Sequence, residues 1–162
     1  MTSLHSAGRR RRVVAAVGAV SAGLLVLSAC DKPSPVATVT VGSDTVSSEA
    51  SCYAHGEEIK PDELTSCLSD KDVPTLTVDQ DETVRFGVDP EIAESRWVIL
   101  MNGKPLVADS ERTYRTIPGS IFFSPQYGAQ GGSTTVAIQA LDPDDKARTT
   151  GLWTFKLEEG VS

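Results

Sequence analysis

The side chains of this 162-residue chain that could do chemistry are three cysteines, two histidines, two clusters of carboxylates and a glycine-framed tyrosine. Serine hydrolysis needs an imidazole beside an activated hydroxyl. Beyond residue 30 the one imidazole is His55, in Tyr53-Ala54-His55-Gly56, far in sequence from any glycine-framed serine of nucleophile-elbow form. It is expected to be an exposed loop histidine, and no catalytic residue is assigned. Cys52, His55 and Cys67 have a spacing open to zinc, but no fourth ligand stands near them. Asp79, Asp81 and Glu82, and again Asp142, Asp144 and Asp145, have the Asp-x-Asp rhythm from which a calcium loop can begin. Pro143 and Lys146 suit a plain hairpin turn better, so neither a metal nor a cofactor is expected. Gly128-Ala129-Gln130-Gly131-Gly132 lacks the Lys-Ser/Thr sequel of a phosphate loop and leads into a strand pattern instead of a helix. Within Ser124 to Gly132, Gln126, Tyr127 and Gln130 form a candidate partner-binding loop, since tyrosine offers contact area with a polar tip. The competing reading of that stretch is a long hairpin connection.

Cys30 is the cysteine with the most specific surroundings. Arg9 to Arg12 form a positive block, and an apolar run from Val13 to Leu27 follows, interrupted by Gly18, Ser21 and Gly23. That run is short for a membrane span, which needs roughly 20 apolar residues, and has the form of the core of a cleaved export signal. Its end, Leu27-Ser28-Ala29-Cys30, resembles the lipobox of bacterial lipoproteins at every position. The expected organisation is a signal peptide over 1–29, a lipidated tether over 30–35 carrying Pro33 and Pro35, and one folded domain over 36–159. Two acyl chains on one residue suffice for stable anchoring. The Arg-Arg pair also leaves the twin-arginine export route open, although Val13 and Val14 lack its usual pattern.

The chain carries 15 basic and 22 acidic residues, and the only charged side chains before Cys30 are the four arginines. From Cys30 on, 11 basic face 22 acidic residues. A surface of that sign repels phosphate backbones, so no nucleic-acid partner is expected. With Cys30 acylated, Cys52 and Cys67 remain as an even pair, and outside the cytoplasm their expected state is a disulfide.

The elements needed to hold these residues are mostly strands. Val36 to Val41 is rich in β-branched residues and stops at Gly42-Ser43-Asp44. Thr83 to Val88 alternates, with Val84, Phe86 and Val88 on one face and Arg85 on the other. Trp97 to Met101 is apolar on both faces, as in a central strand, and Asn102-Gly103 marks a tight turn. Leu76–Val78, Thr113–Thr116, Ile121–Phe123 and Thr134–Leu141 continue the strand series. Leu152 to Leu157 closes it, with Trp153, Phe155 and Leu157 inward and Thr154 and Lys156 outward. The pattern predicts an all-β, immunoglobulin-like two-sheet sandwich with Trp97 in its core. Residues 47–72 are expected to be an irregular N-terminal segment stapled by the disulfide, with one helical turn near Pro61 to Leu68.

Several of these features together resemble a family of small actinobacterial lipoproteins of uncharacterised function. They are the lipobox, Val39-Thr-Val41, Ser51-Cys-Tyr53, Cys67, Thr77-Val78, Glu82-Thr-Val84, Asp89-Pro-Glu-Ile-Ala93 and Trp97, with a looser echo in Gly151-Leu-Trp-Thr-Phe155. The resemblance implies an address and a sandwich but no reaction. The expected function is a non-enzymatic module on the outer face of a bacterial cell membrane. Its expected partners are the membrane, through the lipid, and an envelope protein or wall polymer. The alternative is a calcium-dependent or catalytic envelope factor working through the acidic turns or His55.

Overall fold

A computed structural model describes residues 33–69, 72–129 and 131–160. The first sheet is built from β1 (Ala37–Val41), β2 (Asp44–Ser48), β5 (Thr83–Val88) and β8 (Tyr114–Pro118). Its order is β2-β1-β5-β8, antiparallel throughout. The second sheet holds β3 (Cys52–Tyr53), β6 (Trp97–Met101), β7 (Lys104–Pro105), β9 (Ser133–Leu141) and β10 (Thr149–Glu159), in the order β3-β10-β9-β6-β7. One more strand, β4 (Thr75–Val78), runs parallel to the far end of β10. The immunoglobulin-like arrangement is evident in these orders. β10-β9-β6-β7 follows the G-F-C-C′ order of a variable-type sheet, and β1-β5-β8 follows A-B-E.

Period-two alternation sets the register. In β5 the burial pattern places Val84, Phe86 and Val88 inward, and Phe86 lies opposite Val39 of β1. Between the sheets Trp97, Trp153, Phe86, Phe122 and Phe155 are fully buried. Burial stabilises by about 1.5–3 kcal/mol for a side chain of phenylalanine size. Each indole also satisfies its N–H: Trp97 donates to the Arg112 carbonyl and Trp153 to the Pro35 carbonyl, both at 2.7 Å. The second bond ties the entry of the domain to its last strand. At the β6–β7 turn, Asn102 and Gly103 take φ +48° and +76°, the left-handed pair that a two-residue hairpin requires.

The disulfide joins Cys52 and Cys67 as expected, but the segment it closes is no mere appendage. It folds into β3 and α1 (Pro61–Leu68), with Pro61 at the first turn and Asp62 and Glu63 near the positive end of the helix. Cys67 then packs with Val98, Leu100, Ala137, Leu141 and Leu152 in a second apolar cluster. These residues lie on the outer face of the second sheet, so α1 is its cover. The doubly apolar β6, buried at all five positions, follows from that. Thr154, expected outward and exposed, does stand on that outer face but is buried there, its N–H bonded to the Ser51 hydroxyl.

Two further expectations change. Ile121–Phe123 lies in a short helix, α3 (Ser120–Phe123), with Phe122 and Phe123 both buried, and not in a strand as expected. Thr134, at the start of β9, donates its hydroxyl to the Phe122 carbonyl at 2.6 Å and fixes this corner. After Asp89, the chain makes a helical turn, α2 (Pro90–Glu94), which buries Ile92 and Ala93 and which the strand series above did not include.

Candidate functional site

Three regions carry side chains singled out above, a fourth does not, and they differ in what they can do. At the first, β3 places Tyr53 beside α2, and the chain then turns through His55 (φ +51°) and Gly56 (φ +90°). Tyr53 donates its hydroxyl to Glu91 Oε1 at 2.8 Å, and its ring meets His55 edge-on at 4.7 Å between centroids. Burial, then the hydrogen bond and charge of Glu91, push the Tyr53 hydroxyl up to about 12. The result is a shallow cleft of about 130 Å³ lined by Tyr53, His55, Glu91, Ser95 and Thr150. A tyrosine held protonated is a hydrogen-bond donor and no base at neutral pH. The Ser95 hydroxyl is turned to the Glu91 backbone carbonyl, and among the described residues none forms a hydrogen bond with the His55 ring. Among the described residues, the cleft therefore shows no hydrogen-bonded nucleophile–base pair of the kind acyl transfer uses.

The acidic turns use their own carboxylates. Asp142 Oδ1 accepts the N–H groups of Asp144 (2.8 Å) and Asp145 (3.1 Å), and Oδ2 meets Arg148 at 3.1 Å. The two backbone bonds foremost, with the arginine, hold its carboxyl below the usual range. In the other cluster, Glu82 Oε2 accepts the Asp79 N–H at 3.1 Å, closing the turn between β4 and β5. Among the described residues no three of His, Cys, Asp or Glu gather as a metal-binding group.

The expected partner loop is less pliant than its glycines suggested. Pro125–Tyr127 form a 3-10 turn, and Tyr127, Gly128 and Ala129 bond back to Ser124 and Pro125 carbonyls. Asn102 Nδ2 donates to the Gly128 carbonyl at 3.2 Å, and Ala129 is buried in the core. Gln126 and Tyr127 are exposed on this anchored turn, while Gln130 lies outside the described residues, as does Cys30.

The fourth region was not singled out as a site from the sequence. After β7 the chain follows β6, with Ser110 bridged to Trp97, and crosses to the first sheet at 111–113. It enters β8, which among the described residues pairs only with β5, so that none of them occupies the opposite edge of β8. Val88 N–H donates to the Thr113 carbonyl and Gly119 N–H to the Glu82 carbonyl. In antiparallel pairing that phase turns odd-numbered residues toward β5 and leaves the N–H and C=O of Tyr114 and Thr116 directed at the open edge. Beside them lies a groove of about 510 Å³ lined by Ser110, Arg112, Tyr114, Arg115 and Thr116, with Asp109 and Glu111 at its rim. Tyr114 is 62 % exposed, the most exposed large apolar-bodied side chain among the described residues.

Charge at this groove departs from the rest of the molecule. Asp109 is bound by Lys146 (2.9 Å) and Arg96 (3.0 Å), whose hydrogen bonds, that of Lys146 foremost, hold its carboxyl below the usual range, and Glu111 is paired with Arg96. Arg112 has no side-chain partner among the described residues, and Arg115 donates to the Ala108 carbonyl and meets no carboxylate. The groove's own lining thus holds two cations and two acids, and the two acids are paired with Arg96 and Lys146 from outside it. The signal that could have located the groove is the stretch 106–113, which has no strand pattern where an immunoglobulin sheet places a fourth strand beyond E. No family model, no curated protein and no solved structure matches the chain.

Proposed function

We propose that this chain is an exported lipoprotein, anchored through Cys30 on the extracytoplasmic face of a bacterial membrane, that binds an envelope partner and catalyses no reaction. The likeness to small actinobacterial lipoproteins belongs to this proposal. The observation that carries it is an asymmetry of the sandwich. One sheet has its outer face covered by α1 through the disulfide, whereas the other leaves the β8 edge open beside a 510 Å³ groove. Folded chains normally blunt or cover such an edge, as Pro118 does at the far end of β8, so a first half left unblunted beside an exposed tyrosine and an arginine unpaired among the described residues suits a binding surface. The basic block, the interrupted apolar run and Leu27-Ser-Ala-Cys30 support the anchor. The cleft at His55 supports no competing reaction, because its Glu91 carboxylate is bonded to Tyr53 and its Ser95 hydroxyl to backbone.

Mass spectrometry of the protein extracted from membranes tests the anchor. The expected N-terminal peptide begins at Cys30 and carries diacylglycerol, and Cys30→Ala releases the protein from the membrane fraction. Retention of residues 1–29, or membrane association of Cys30→Ala equal to the parent, would overturn the address. Crosslinking and pull-down from membranes tests the binding role, and recovery of the protein alone would sink it.

A further inference from the structure

We infer that the β8 edge takes up an extended, acidic peptide segment of a partner protein as the missing fourth strand of the first sheet. This rests on the binding-module reading and names the class of partner. Three observations carry it. The sheet order A-B-E stops at β8, where the immunoglobulin sheet places a further strand, and the described residues supply none. The hydrogen-bonding phase leaves two N–H and two C=O groups, those of Tyr114 and Thr116, directed at the vacancy, enough for two rungs of a ladder. The groove along that edge is bounded by the crossing segment at Ser110–Arg112, so an incoming strand is confined between it and β8.

Charge selects the occupant. With Asp109 and Glu111 paired to Arg96 and Lys146, the charges at the groove that meet no carboxylate among the described residues are Arg112 and Arg115, and Arg85, likewise without one among them, lies across the ladder from Thr116. In a chain with 22 acidic against 15 basic residues, this is a local positive site that attracts acidic side chains over the few ångströms at which charges remain unscreened. Tyr114, on the outer face, gives an apolar body for alternate side chains of the added strand to cover. Pro118 at the far end of β8 has no N–H to offer and limits the ladder to its first half, which blocks long edge-to-edge pairing between copies of this chain. Backbone donors and acceptors in alternation match a peptide better than a wall polysaccharide, which would have to use the threonine hydroxyls of β1 and β2, and these are already engaged, Thr38 with the Gly87 carbonyl at 3.4 Å and Thr40 with Thr45 at 2.9 Å.

The test uses the full chain purified in detergent and a pooled library of ten-residue peptides of random sequence. Captured peptides are expected to be enriched in aspartate and glutamate and in alternating β-branched residues. A captured peptide at saturation should slow amide hydrogen exchange at Tyr114 and Thr116 at least tenfold. Arg112→Glu, at an exposed side chain without a partner, is expected to fold normally and to weaken binding at least fivefold. No enrichment, enrichment of basic peptides, or binding that leaves exchange at Tyr114 and Thr116 unchanged would overturn the inference. So would binding of a wall polysaccharide that perturbs only Thr38, Thr40 and Thr45. If one of these occurs while crosslinking from membranes still captures a partner on another surface, the binding-module reading stands and only the edge assignment falls.

Discussion

Removing the Cys52–Cys67 bridge should both destabilise the domain and uncover one face of it. The bridge closes a separation of 15 residues, for which the loop-entropy model gives about 3 kcal/mol. A domain of this size loses about 3–5 °C per kcal/mol, so Cys52→Ala with Cys67→Ala is expected to lower Tm by about 10–15 °C. Fluorescence of the buried Trp97 and Trp153 reports the global transition in a thermal or denaturant titration. The eight residues of α1 are too few to stay helical alone in water, so losing the bridge should loosen the helix before the sandwich unfolds. That would wet the stripe of Val98, Leu100, Ala137, Leu141 and Leu152, and a hydrophobic dye should bind the variant below its main transition. A variant within about 1 kcal/mol of the parent that binds no dye would refute the reasoning, since α1 would then be held by packing alone.

Other perturbations probe the remaining structure. A methyl group at Gly151 would meet the Trp153 ring at 2.6 Å and Tyr53 at 3.2 Å, so Gly151→Ala should cost about 1–3 kcal/mol in chemical denaturation, and an unchanged midpoint would contradict this packing. Tyr53 is raised in the folded protein, so its contribution to stability is full below pH 10 and is lost as pH rises through about 12. Tyr53→Phe should flatten that alkaline decline in Tm, and an identical decline in both proteins would count against the Glu91 contact. Asp142 is lowered, so its contribution is present above the ordinary aspartate range and is lost as pH falls through the lowered value. Asp142→Ala should therefore weaken the β9–β10 hairpin at neutral pH while reducing the acid sensitivity of Tm.

Where one face of a strand is buried and the other wet, the alternation was legible in the residues, as in Val84, Phe86 and Val88 against Arg85. Asn102-Gly103 and the Cys52–Cys67 pair were legible for a similar reason, since a left-handed turn and an even pair of cysteines each leave few alternatives. Ile121-Phe-Phe123 was misread because three apolar residues suit a strand or a helical turn equally, and the choice is made by the pocket that receives both rings. The cover formed by α1 was half visible: β6 was apolar on both faces, which demanded something over its outer side, but nothing local identified the cover. The β8 groove was hidden because it lies where none of the described residues adds a strand. Arg112, Tyr114 and Thr116 look like ordinary strand and turn residues until sheet order leaves their edge unpaired.

Site-specific photocrosslinking in membranes tests most directly whether the open edge is the binding surface. A photoreactive residue is placed at Tyr114, on the open side, or at Glu63, exposed on α1 over the opposite sheet. The account predicts a discrete partner adduct from position 114 that disappears with Arg112→Glu, and none from position 63. An adduct from position 63 alone, or one from 114 that is indifferent to Arg112→Glu, would contradict it.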